Sequence, residues 1–250
     1  MSIDETTPGG GDDFATPEEP AGRTQPGVPW GAKDSVLITL FSIVSIIVCM
    51  VVFNIILAAA GLSGDSSKAS PVPEFGSDIV FYSAILLACF LFLRHRHYHV
   101  SLSMLGFRRT RLGKAILWTL LVYVLDTIGT AVWLHFVQSE PLPVKTEYGA
   151  TVLGFMLAYL GIAVLAPVVE ELFFRGILFQ GFSQSFGPLW GGVTSAAVFT
   201  IFHVDPHVFG RIFWTGILFA FLFYKTKSLW PSIVCHFIVN SLAVIALFAS

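Results

Sequence analysis

Apolar residues run through this chain in long blocks, and the polar positions fall in short clusters between them. Blocks at about 36–62, 78–93, 115–137 and 149–171 approach or exceed the length a helix needs to cross a hydrocarbon layer of about 30 Å. Beyond Leu172 the chain stays apolar but is interrupted by Gly187-Pro188 and Asp205-Pro206. These interruptions predict a helix continuing to Phe186, then others at Trp190–His203, His207–Tyr224 and Leu229–Phe248. In a bilayer every backbone polar group must be satisfied within the spanning segment, so the pattern predicts an all-α polytopic transmembrane bundle of seven or eight helices. The bundle is expected over residues 35–250. Residues 1–34, rich in Pro, Gly, Thr and acids with no period, read as a solvated, disordered tail. Gly154, Ala158 and Gly161 offer a small-residue face for close helix packing, and Pro167 predicts a kink just beyond it.

Composition agrees with this pattern. The 250 residues are 55% hydrophobic and only 12% charged, with a mean hydropathy of +0.77. A soluble domain carries about 25% charged residues, so this is expected to be an integral membrane protein. A net charge of −2 leaves no basic footprint for nucleic acid. The three cysteines, Cys49, Cys89 and Cys235, fall inside apolar spans without metal-ligand spacing and read as free thiols. No signal peptide or lipidation motif is evident. Arg94, Arg96, Arg108, Arg109, Arg111 and Lys114 place six of the chain's 14 basic residues in the loop after the second span. By the positive-inside rule that loop is cytoplasmic, and with two spans before it so is the N-terminus. Lys225 and Lys227 before the last span fit the same alternation.

The chemistry lies in the second half. Pro167-Val168-Val169-Glu170-Glu171-Leu172-Phe173-Phe174-Arg175 sets two carboxylates and a guanidinium at the end of an apolar run. A charge at membrane depth costs about 2.5–3.5 kcal/mol on insertion scales, so such groups usually serve a function. In a helix Glu171 and Arg175 stand i,i+4 and pair, while Glu170 lies about 100° away without that cation. A neutralised Glu171 beside an open Glu170 resembles a general base being prepared. Read alone, the stretch is an ordinary helix end with its charges at the headgroups, and that reading holds unless other polar groups converge on the same place. Two further pairs, Phe199 with His203 and His236 with Asn240, repeat the i,i+4 spacing on other helices. A lone buried histidine is most often a satisfied core residue, but three such pairs on three helices point to one polar site.

Glu170-Glu171-x-x-x-Arg175, Phe199-x-x-x-His203 and His236-x-x-x-Asn240 resemble the three ordered motifs of the CPBP family of intramembrane proteases. That family comprises CaaX proteases and bacteriocin-processing proteins, and includes the Ras-converting CaaX endopeptidase. Thr226-Lys227-Ser228-Leu229-Trp230-Pro231 before the third motif is similar to bacterial members, and the likeness covers about Gly149 to Ser250. The resemblance implies peptide-bond hydrolysis inside a bacterial plasma membrane, on a peptide or protein substrate that is lipidated or carries a leader. Glu170 and His203 would then activate water, His236 and Asn240 would donate to the oxyanion, and Glu171, Arg175 and Phe199 would support them. No cofactor is required by this scheme. A zinc alternative uses Glu170, His203 and His236 as ligands with Glu171 as base, although no His-Glu-x-x-His is present.

Two other functions compete: a non-enzymatic immunity or scaffold protein of the same fold, and an ion-coupled transporter. The transporter reading finds no inverted repeat. Asp126 matches no motif and reads as a structural hydrogen-bond partner. His207 completes a His-x-Asp-x-His that Pro206 marks as a helix connection. His95, His97 and His99 read as a solvated surface, and Arg211 as a headgroup contact.

Overall fold

The computed structural model describes residues 27–62, 70–137 and 147–249. Among them every regular element is helical. The first three helices are α1 (Ala32–Ala59), α2 (Pro71–His95) and α3 (Leu112–Phe136). α2 begins about two turns before the expected position because Pro71 opens the helix rather than ending a loop. Its missing N–H is one a first turn leaves unpaired anyway. Glu74 in the first turn and Arg94 and His95 in the last complement the helix dipole.

A long composite rod follows. It consists of α4 (Val152–Ala158), a first π segment (Tyr159–Leu165), α5 (Ala166–Glu170), a second π segment (Glu171–Phe179) and α6 (Gln180–Phe202). Pro167, where a kink is expected, stands in the first turn of α5, directly after the wider turns of the first π segment. The sharp bend comes at Gly187, with φ 79° and ψ 165° inside α6. A 3₁₀ turn (Pro206–Val208) then leads to α7 (Phe209–Thr226) and α8 (Leu229–Ala249). Six segments of the described chain are long and apolar enough to span a membrane, the fourth being Val152–Ile201. Because Gly187 divides that fourth segment, the described chain forms seven rods, within the expected seven or eight.

The rods alternate between two faces of the bundle. On one face the α2–α3 loop docks on the α7–α8 turn, through Ser228 Oγ donating to the Arg108 carbonyl at 2.6 Å and Leu229 N–H to Gly106 at 2.8 Å. Arg108, Lys114 and Lys227 gather there, and burial, followed by repulsion from Lys114 and Arg108, pulls the Lys227 ammonium below its ordinary pKa. On the other face, at the end of α3, the Trp133 indole donates to the His207 carbonyl at 3.2 Å.

The stretch just before α1 is packed, although it reads as part of the tail. Val28 and Trp30 are buried, and the Trp30 indole donates to the Ile177 carbonyl at 3.0 Å. Asp34 pairs with Arg96 at 2.9 Å and accepts from the Tyr98 hydroxyl at 3.0 Å. Residues 28–34 therefore pack with the bundle, and the rest of the acidic tail lies outside the described residues. α1 and α3 bury little of their surface and present rows of Val, Ile and Leu outward, as lipid-facing helices do. The core sits instead around the second π segment, α6 and α7, where Phe173, Phe174, Phe199 and Phe219 are almost completely covered.

Candidate active site

Glu171 and Arg175 open the second π segment and are sealed, each 0% exposed. Arg175 donates to Glu171 Oε1 at 2.9 Å and to the Gly216 carbonyl of α7 at 3.0 Å. Its guanidinium also lies over two rings, 4.7 Å from the Phe199 centroid and 5.4 Å from Phe219. A buried ion pair needs such extra partners, because desolvation otherwise cancels much of the Coulomb gain. The pair expected from i,i+4 spacing is therefore present, and α6 and α7 hold it.

Glu170 is placed differently. Its side chain keeps 13% of its surface accessible, and Oε1 accepts a hydrogen bond from the Tyr82 hydroxyl of α2 at 3.1 Å. His236 of α8 stands between the two carboxylates. Its Nδ1 is 3.2 Å from Glu171 Oε1, and its Nε2 is 3.8 Å from Glu170 Oε2. The first is a hydrogen bond; the second is too long for one. Since a carboxylate paired with arginine only accepts, Nδ1 carries the proton and Nε2 faces Glu170.

His203 ends α6, with Nδ1 2.8 Å from the Phe199 carbonyl. A carbonyl only accepts, so Nδ1–H donates and the neutral ring leaves an Nε2 lone pair free. Both imidazoles lie against Phe199, with centroids 4.7 Å away for His203 and 6.3 Å for His236. Asn240 follows His236 by one turn and donates from Nδ2 to the Ile162 carbonyl at 2.8 Å. That carbonyl lies in the first π segment, whose widened turns disturb the usual ladder, so Asn240 braces α8 against the rod. The structure thus joins Glu170, Glu171, Arg175, Phe199 and His236 by direct contacts and ties His203 to them through Phe199.

Glu170, His203 and His236 do not close into a ligand shell. Among the described residues no three His, Cys, Asp or Glu side chains gather as a metal-holding group. The His-x-Asp-x-His stretch is a turn in which Asp205 Oδ1 accepts from the His207 amide at 2.9 Å. Asp126, 3% exposed, accepts from the Thr215 hydroxyl at 2.5 Å, which ties α3 to α7.

Two residues escape the motif reading. Tyr82 touches Glu170, and Asp78, one turn earlier on α2, accepts from the Tyr148 hydroxyl. Burial first, and then the bond to Asp78, holds the Tyr148 phenol well above its ordinary pKa, so it stays a donor. The i,i+4 rule that selects the other pairs also selects Asp78 and Tyr82.

Residues 152–242 match the family model described as type II CAAX prenyl endopeptidase Rce1-like. This C-terminal region is similar to that family. All three motifs fall inside it, so the CPBP resemblance read from them is borne out. The chain is also similar to the Bacillus subtilis (strain 168) protein named "Putative membrane peptidase YdiL", with 31% identity over 83 residues. That alignment covers 33% of this chain and about a third of the relative, 34% of its length. No solved structure matches.

Proposed function

We propose that the chain is an intramembrane endopeptidase hydrolysing a peptide bond in a membrane-associated protein or peptide. The observation that supports this most is the unequal treatment of two adjacent glutamates around one histidine. Glu171 is sealed and neutralised, while Glu170 keeps access and faces His236 Nε2.

Glu170 takes a proton from a water molecule whose oxygen attacks the scissile carbonyl carbon, with His203 Nε2 as a second acceptor for that water. The carbonyl oxygen becomes the oxyanion. As the C–N bond breaks, Glu170 returns the proton to the departing amine nitrogen. His236 has already committed Nδ1–H to Glu171, so it donates from Nε2 only as an imidazolium. In that state two carboxylates face one guanidinium and one imidazolium, and the buried cluster is neutral, which is the condition for holding charge at this depth. Asn240 supplies the second donor through the amide hydrogen not directed at Ile162.

The Rce1-like match and the name of the Bacillus relative favour a peptide substrate at the membrane, either a lipidated C-terminus or a leader. Terminal-peptide proteomics of membranes from wild-type and Glu170→Gln cells tests the reading. The expected result is a set of uncut membrane-associated precursors in the variant, restored by the wild-type gene. Unchanged termini throughout would end the proposal.

A further inference from the structure

An open groove of about 890 Å³ lies away from the Glu170–His236 cluster, between the end of α2, residues 97–105 and the second π segment. That volume falls in the range of about 300–1,000 Å³ common to ligand sites. Its rim and its floor differ in character. Arg94, His95, His97 and His99 stand at one end, all exposed. Leu86, Phe90, Leu105 and Leu172 line the remainder. Along α2, the eight steps from Leu86 to Arg94 rise about 12 Å, most of one leaflet's share of the hydrocarbon.

The charge at the rim is not cancelled locally. Asp34, the nearby carboxylate, is taken by Arg96 and Tyr98. Arg94 has no ion pair among the described residues. A ligand here must place an anion at the membrane surface and an apolar chain along the helix. A peptide fits poorly, because the apolar wall offers its backbone few hydrogen-bond partners. A zwitterionic lipid brings an ammonium group towards the Arg94 guanidinium.

We propose that this groove binds one anionic phospholipid from the leaflet on the side of the basic loop. Its phosphate rests on Arg94 and the histidine rim, and one acyl chain lies along Leu86, Phe90 and Leu172. The site uses none of the residues assigned to hydrolysis, and its occupancy is measurable without a substrate.

The test uses the full chain in phosphatidylcholine nanodiscs doped with a phosphatidylglycerol that carries a diazirine in one acyl chain. After irradiation, adducts are mapped by peptide mass spectrometry. Labelling is expected in peptides covering 86–105 and 172–177, competed by unlabelled phosphatidylglycerol but not by phosphatidylcholine or soluble glycerol phosphate. Arg94→Ala should reduce it about fivefold, the loss of one cation–headgroup contact. Leu86→Trp should reduce it by filling the floor with the rim intact, and decides the matter if Arg94→Ala does not fold. Lys114→Ala, a basic residue outside the groove, should leave it unchanged. Equal labelling by a diazirine phosphatidylcholine would mean ordinary annular lipid and overturn the proposal. Competition by glycerol phosphate would mean an anion site without a chain, and would overturn it equally. So would labelling that survives both groove variants.

Discussion

Glu170 and Glu171 share a side chain and a peptide bond, yet the bundle gives them different surroundings, from which the proposed division of roles follows. The consequence is a contrast between two substitutions. Glu170→Gln keeps the Tyr82 contact and the volume, so thermal unfolding in detergent should be little changed while cleavage falls by about 10²–10⁴-fold. Arg175→Ala leaves Glu171 buried without its cation, a loss of about 3–5 kcal/mol, and should be read first as a lower unfolding midpoint. If Glu170→Gln proved the more destabilising of the two, the division of roles would be wrong. Sequence spacing was enough to find the Glu171–Arg175 pair, because i,i+4 neighbours on one helix meet whatever surrounds them. It could not find the Gly216 carbonyl or the Phe219 ring, which reach Arg175 from another helix. Nor could it tell that His236 spends Nδ1 on Glu171, since that depends on how two distant helices are rotated.

At the level of the helix, the departures from expectation have one cause. Hydropathy reports where a segment is apolar but not how its turns are wound. Pro71 and Pro167 look alike as breakers in a sequence, and here one begins a helix while the other sits in a rod whose turns have already widened. Gly187 was legible as an interruption, and the structure makes it the corner. A Cβ built there would meet nothing within 4 Å, yet its φ of +79° is unfavourable for any L side chain. Gly187→Ala should therefore cost about 1–3 kcal/mol from backbone strain alone, measured by denaturant or thermal unfolding. An unchanged midpoint would mean that the corner relaxes. Asn240→Ala acts at the same scale, since the Ile162 carbonyl would lose its partner from α8.

Across the whole molecule, conserving space around one polar cluster matters more than burying every helix. α1 and α3 are largely lipid-facing, whereas the aromatic core tightens around Glu171, Arg175 and His236. The segment from Val28 to Asp34 belongs to this core side, through Trp30 on Ile177 and Asp34 on Arg96. Its composition hid that, because Pro and Gly around a single Trp read as tail until a docking surface exists.

The Gly187 corner also decides parity. An even number of crossings would return the chain to the side where it entered, and the six long apolar segments of the described chain would make that even number if each crossed once. Because the fourth segment, Val152–Ile201, turns at Gly187, α8 should end across the bilayer from Trp30. A dual alkaline phosphatase–green fluorescent protein reporter placed behind α8, compared with one placed before Gly27, should report opposite compartments. Matching compartments would mean that the corner is a bend within a single crossing.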